Sequence, residues 1–341
     1  MLGKKAMLGS ALGGSGIATA RLKLGPARHN ELLILAYHRV CDLDDEQTLA
    51  RDPELVSASV SDFEQQMRFV REHFTPLRFA DVIECLDSGR PLPPRSLVVT
   101  FDDGHLDDYT HAFPVLKALG VPACIFLSTD YVGSTQMFWF DRVALLLYGA
   151  PAGRWQIGGH LLELAQDDVA ARRAATRKYL RTLKSLPDHQ RVEGLNMLEQ
   201  LFGAGVPAAA VPARSALNWD EVREMARNGI EFGSHTCSHP ILTRLDDASL
   251  KRELTESRRI IGEQLRRPVD VVAYPVGKSD AFDARVMAMS QGCGYRLGVS
   301  YETGTNTLAR LEHFALRRLP VERYTELRFF KSLLAFPALL A

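Results

Sequence analysis

Cysteine is scarce in this chain of 341 residues. Its five copies, Cys41, Cys85, Cys124, Cys237 and Cys293, are odd in number, widely scattered and never spaced C-x-x-C. That pattern argues against a disulfide framework and against a zinc site built from thiolates, and the five read as small buried hydrophobes. Net charge is lacking as well: 41 Lys and Arg offset 41 Asp and Glu. No overall field gathers phosphate backbones, so nucleic acid has no compositional support as a partner. There is no G-x-S-x-G nucleophile elbow and no repeat of solenoid period. What is present, 46% hydrophobic and 24% charged residues, describes a globular chain with room for one large domain or two small ones, and it rules out disorder and collagen-like repeats.

The two ends differ from the middle. Met1 to Lys5, followed by the weakly apolar Ala6 to Ala20, has the outline of a signal peptide. Four glycines and two serines dilute its apolar stretch, and it is too short to span a bilayer as a helix. Lys4, Lys5, Arg21, Lys23 and Arg28 around apolar positions give the alternative expectation, an extension over 1–30 that touches a membrane surface. A cytoplasmic or cytoplasmic-membrane-associated protein is favoured over a secreted one. Oligomeric state is not legible. The apolar tail over 324–341 is expected to pack on the core.

Between the ends, short apolar runs stop abruptly at polar or chemically distinctive residues, as buried parallel strands do when their carboxyl ends carry a site. Leu32–Tyr37 ends at His38, Leu97–Phe101 at Asp102, Ala123–Leu127 at Ser128 and Val271–Tyr274 at Pro275. Weaker runs are Gly229–Gly233, Tyr295–Ser300 and Ala315–Val321. Helical spacing separates them over Ser61–His73, Asp81–Asp87, Tyr109–Leu119, Trp219–Arg227, Ala248–Gln264 and Ala281–Gln291. Strand followed by helix about seven times predicts an α/β barrel over 31–323. From about 143 to 215 the chain is rich in Leu, Ala and Arg, with helical patterns over Ala170–Leu186 and His189–Phe202. This reads as a helical insertion in a barrel loop.

Two clusters carry chemistry. Thr100-Phe101-Asp102-Asp103-Gly104-His105 closes a strand with adjacent carboxylates and a glycine that lets the backbone turn sharply. Like charges there repel unless a cation neutralises one, leaving the other to act as a base. Ser234-His235-Thr236-Cys237-Ser238-His239-Pro240 offers two imidazoles four residues apart. Pro240 biases His239 away from helical geometry, which predicts a turn, and Thr at 236 separates the cluster from H-E-x-x-H proteases. Two histidines and one of the aspartates leave an open coordination position for water, the arrangement of a hydrolytic metal site.

T-F-D-D-G at 100–104 and S-H-T-x-S-H-P at 234–240, in this order and each at a strand end, resemble the motifs of the polysaccharide deacetylase superfamily, carbohydrate esterase family 4, which share the nodulation-type deacetylase domain. The resemblance spans roughly 31–323 and implies a distorted (β/α)₇ barrel. It implies Asp102 as general base and Asp103, His235 and His239 as ligands of a divalent metal, with Zn²⁺ suited to the donor set. Many members carry an Arg-Pro-Pro-Tyr segment whose Arg braces the base. The matching stretch here is Ala273-Tyr274-Pro275-Val276-Gly277, and it lacks that Arg. A branch acting on poly-N-acetylglucosamine and related exopolysaccharides is similar in its Tyr-Pro-x-Gly segment and in a first-strand Tyr-His, matched by Tyr37-His38.

That resemblance makes His38 the general acid, since Leu316–Val321 offers no late His, and it implies an oxyanion donor at the backbone N–H of Val276. Tyr274, His105 and Trp139, the last in Phe138-Trp139-Phe140-Asp141-Arg142, are candidates for lining a sugar groove. Arg318 resembles a motif position of the family, and an ion pair inside the barrel explains it equally well. The implied reaction is removal of N-acetyl groups from amino sugars of a polysaccharide or its lipid-linked precursor. The alternatives are a carbohydrate O-acetyl esterase and a catalytically silent carbohydrate-binding barrel.

Overall fold

The computed structural model describes residues 9–25, 29–42, 55–166 and 168–340. Lys4, Lys5 and Arg28 lie outside them. Seven parallel strands form the frame: β1 (Glu31–Tyr37), β2 (Ser96–Phe101), β3 (Ala123–Leu127), β4 (Ile230–Ser234), β5 (Val271–Ala273), β6 (Leu297–Thr303) and β7 (Leu316–Pro320). The sheet closes because β1 pairs on both sides, with β2 in register from Leu32↔Ser96 to Tyr37↔Phe101 and with β7 at Leu35↔Leu319. Alternation along the strands explains the continuous apolar runs, since both faces are buried. Leu32, Ile34, Val98, Phe126, Val271 and Leu297 fill the interior, while Leu33, Leu35, Val99, Ile125 and Phe232 pack outward against the helices.

The predicted strands and helices lie where the apolar periodicity puts them. Two departures have physical causes. Tyr109–Leu119 reads as one helix, but its first turn is a π-helix over Asp108–Ala112 and the α-helix begins at Phe113. Pro114 has no N–H to continue a regular ladder there. Within 143–215, helices Val169–Ser185 and Asp188–Phe202 appear as expected, and a hairpin that was not expected precedes them. Gly153–Ile157 pairs antiparallel with His160–Leu164 across Gly158 and Gly159, both at positive φ. Only Ile157, Leu162 and Leu164 of the hairpin are buried, too few to read as alternation. This insertion packs Leu146, Leu162, Leu180, Leu198 and Phe202 into its own small core, with Phe138, Trp139 and Phe140 where it meets the barrel.

Helix Ile17–Leu24 inserts Ala18 and Leu22 into the main core. Nearby, the Ser332 hydroxyl donates to the Gly9 carbonyl at 2.6 Å. The apolar tail is core, with Phe330, Leu333, Leu334 and Ala335 buried. Among the described residues, no helix is long and apolar enough to cross a membrane.

Candidate active site

Parallel closure places the carboxyl ends of all seven strands at one mouth, and the chemically distinctive residues follow directly from those ends. β2 delivers Asp102 and Asp103. After Phe101 the backbone turns through Asp103 (φ 77°) and Gly104 (φ 81°). A Cβ on Gly104 would stand 2.6 Å from the Leu127 side chain, so glycine is required both by dihedral and by space. The turn splits the two carboxylates. Asp102 stays with the barrel interior, while Asp103 faces the turn that follows β4.

Asp103, His235 and His239 come together, all buried, with one donor atom of each within 4.8 Å of the others. His235 Nε2 and His239 Nε2 stand 3.5 and 3.2 Å from Asp103 Oδ1, yet that oxygen forms no hydrogen bond. His235 Nδ1 lies 2.8 Å from the Ala273 carbonyl, which fixes the N–H there and leaves Nε2 with its lone pair forward. Burial lowers the pKa of His235 to about 4, so the ring is neutral, the form a cation needs. Burial opposes ionisation of Asp103, but the pull of His105 and His239 holds its carboxyl well below the usual range. Three buried donor groups, one carboxylate and two imidazoles, converging within 4.8 Å suit a divalent cation.

Asp102 has a different partner. Arg318, fully buried on β7, donates to its two oxygens at 2.7 and 2.8 Å, while its Nε donates to the Ser300 carbonyl at 2.7 Å. The ion pair expected inside the barrel is therefore also the brace that the Ala273–Gly277 segment lacks. It reaches Asp102 from a different strand. Burial would raise the Asp102 pKa, but Arg318, His235 and His38 outweigh it and the carboxyl lies below its ordinary value. His38 Nε2 is 4.0 Å from Asp102 Oδ2 with its side chain one-fifth exposed. Its backbone N–H is held by the Ser57 hydroxyl at 2.9 Å. Burial lowers the His38 pKa, against the opposing charges of Asp102 and Asp103, so the ring rests neutral.

A cleft of about 310 Å³ opens over these groups, and His38, Asp102, Asp103, His235, His239 and Val276 line it. Val276 is β-branched yet sits at φ 64°, a conformation such residues adopt only under constraint. Phe140, Leu180, Lys184, Lys278, Tyr301 and Glu322 are also part of the wall. Leu180 and Lys184 come from the insertion, and Tyr301 lies over the Arg318 guanidinium at 5.1 Å. Sequence reasoning missed Tyr301, whose only signal was its place just beyond an apolar run.

The three expected groove residues lie elsewhere. Tyr274 is buried, donates to the Phe314 carbonyl and stacks on Phe282. His105 is fully buried beneath the site, its Nε2 3.2 Å from Asp103 Oδ2 and its ring against Phe138. Trp139 is buried too, and its indole N–H donates to the His239 carbonyl at 3.0 Å. In each case the polar handle found a partner below the surface. Of the aromatic segment only Phe140 reaches the cleft, packing edge-on to His239.

A closed parallel barrel thus carries at its mouth three groups that could hold a metal ion, beside a buried carboxylate paired with an arginine. A profile of the polysaccharide deacetylase family matches residues 89–298, and the chain belongs to that family, whose members generally depend on a metal ion. It is 29% identical over 218 residues to the poly-β-1,6-N-acetyl-D-glucosamine N-deacetylase of Staphylococcus epidermidis, a match covering 60% of this chain and 72% of the relative. The enzyme of the same name from Escherichia coli is 35% identical over 99 residues, 29% of this chain and 14% of the relative. Among solved structures, the Streptococcus pyogenes deacetylase PplD superposes with a TM-score of 0.58 at 18% identity, over 87% of this chain and 94% of that one. IcaB from Ammonifex degensii gives 0.55 at 18% identity, over 90% and 97%. At such identity these two establish the fold, the closed (β/α)₇ barrel.

Proposed function

We propose that the protein is a Zn²⁺-dependent carbohydrate N-deacetylase acting on N-acetylglucosamine units of an exopolysaccharide of the poly-β-1,6-linked kind, either in the polymer or on a lipid-linked precursor. The observation that carries this reading is the division of labour between neighbours: Asp103 converges with His235 and His239, while Asp102 is held ionised beside them by Arg318. Asp103, His235 and His239 would hold a divalent cation, which would supply Lewis acidity toward the water and the acyl carbonyl. Asp102 takes the proton of the attacking water as its oxygen bonds to the acetyl carbon. The Val276 N–H holds the oxygen on which charge develops. His38 gives a proton to the amine nitrogen as the C–N bond breaks, leaving acetate and the free amino sugar. Because His38 rests neutral 4.0 Å from Asp102, the proton it delivers is the one Asp102 has just collected.

The test is acetate release by the zinc-loaded protein from N-acetylglucosamine oligomers, a lipid-linked N-acetylated saccharide and an O-acetylated glycan, before and after chelation. Chelator-sensitive release from the N-acetylated substrates is expected. Release from the O-acetylated glycan alone, or from none, would overturn the proposal.

A further inference from the structure

The turn that presents both histidines is held at every backbone polar group. The N–H groups of residues 235, 236 and 239 donate to the Leu127 carbonyl and to the Ser234 and Thr236 hydroxyls. Carbonyls of residues 235 to 239 accept, in order, from the Ser128 hydroxyl, the Thr129 and Asp130 N–H groups, the Tyr131 hydroxyl and the Trp139 indole. The two remaining N–H groups converge on one side chain. Glu253 Oε2 accepts from Cys237 N at 2.7 Å and Ser238 N at 3.0 Å, and its Oε1 accepts from the Ser238 hydroxyl at 2.9 Å. Glu253 lies in helix Asp247–Leu265, buried in the stripe that also carries Leu250, Leu254 and Ile261. A carboxylate in an apolar stripe is costly unless its lone pairs are engaged, and among the described residues its hydrogen bonds go to the histidine turn. That turn needs holding, because Thr236 and His239 both have positive φ, 69° and 56°, which side chains with a Cβ disfavour.

We propose that Glu253 is a positioning residue for the cation site: through Cys237 N, Ser238 N and the Ser238 hydroxyl it fixes the turn that aims His235 and His239 at Asp103, and so sets metal affinity without touching the metal. This rests on the metal-site reading above. Reach matters rather than charge. In Glu253→Gln the amide oxygen can accept from both N–H groups while its NH₂ donates to the Ser238 oxygen; Glu253→Asp keeps the charge but falls short.

The experiment is a Zn²⁺ titration of the full chain against a chromophoric chelator, with thermal melting of the metal-free protein alongside, for the unsubstituted chain, E253D, E253Q and L250A. E253D should bind Zn²⁺ about 10–100-fold more weakly, the usual cost of losing an outer-shell support, and E253Q should stay close to the unsubstituted chain. L250A, which removes buried apolar contact one turn away, should melt earlier with its Zn²⁺ affinity unchanged. Equal affinity in E253D and the unsubstituted chain, equal weakening in E253Q, or parallel weakening in L250A would each overturn the clamp. Absence of Zn²⁺ binding by the unsubstituted chain would overturn the metal reading and the clamp with it.

Discussion

Asp102 and Asp103 are chemically identical and adjacent, yet they live in two regions with opposite logic. On the interior side, both Asp102 oxygens are taken by the Arg318 guanidinium, and charge is balanced within the protein. On the other side, Asp103 Oδ2 rests on His105 while Oδ1 faces two histidine nitrogens without a hydrogen bond. The first arrangement pairs its charge with a cationic side chain, and the second gathers three groups able to hold a metal ion. Partners rather than residue type therefore separate the two carboxylates, and under the proposed mechanism they make one the base and the other a ligand.

The comparison breaks most severely if its internal balance is removed. Arg318→Met leaves Asp102 buried without a counter-charge, and urea unfolding should show a loss of about 3–5 kcal/mol. The same variant sharpens the argument through pH. Burial, no longer outweighed, raises the Asp102 pKa, and a base must be ionised to act. The acid limb of kcat/KM should therefore move to higher pH, while Zn²⁺ affinity changes little. An unmoved limb would separate Arg318 from the base.

His38 gives the next effect. His38→Ala should lower amide hydrolysis by about 10²-fold or more and spare an activated acetyl ester, whose leaving group needs no proton. Since burial lowers the His38 pKa, kcat/KM of the unsubstituted enzyme, assayed with saturating Zn²⁺, should rise with pH through a pKa below 6.5 and then stay level to about pH 8. A fall in activity across that range would mean that His38 must start protonated, and equal losses on amide and ester would make its role structural.

The barrel was legible because strands buried on both faces leave uninterrupted apolar runs, and the site was legible because its ligands sit at the ends of those runs. Arg318 was half legible. A charge in the inward position of a buried strand demands a counter-ion, but only closure of β7 onto β1 brings it to Asp102 on β2. Tyr274, His105 and Trp139 were misplaced because the direction of a large side chain depends on packing that no motif encodes. Each turned inward, and two of them support the very residues they were expected to neighbour. Glu253 gave no motif at all; its role appears only when the donors of the histidine turn are followed to their acceptors.

The most direct test of the division between the two carboxylates is to measure bound Zn²⁺ and turnover together in Asp102→Asn and Asp103→Asn, with folding checked by circular dichroism. The Asp102 variant should hold about one equivalent of Zn²⁺ and lose about 10²-fold or more in kcat, whereas the Asp103 variant should lose the metal itself. Near-native turnover in Asp102→Asn, or equal loss of metal from both, would contradict the account.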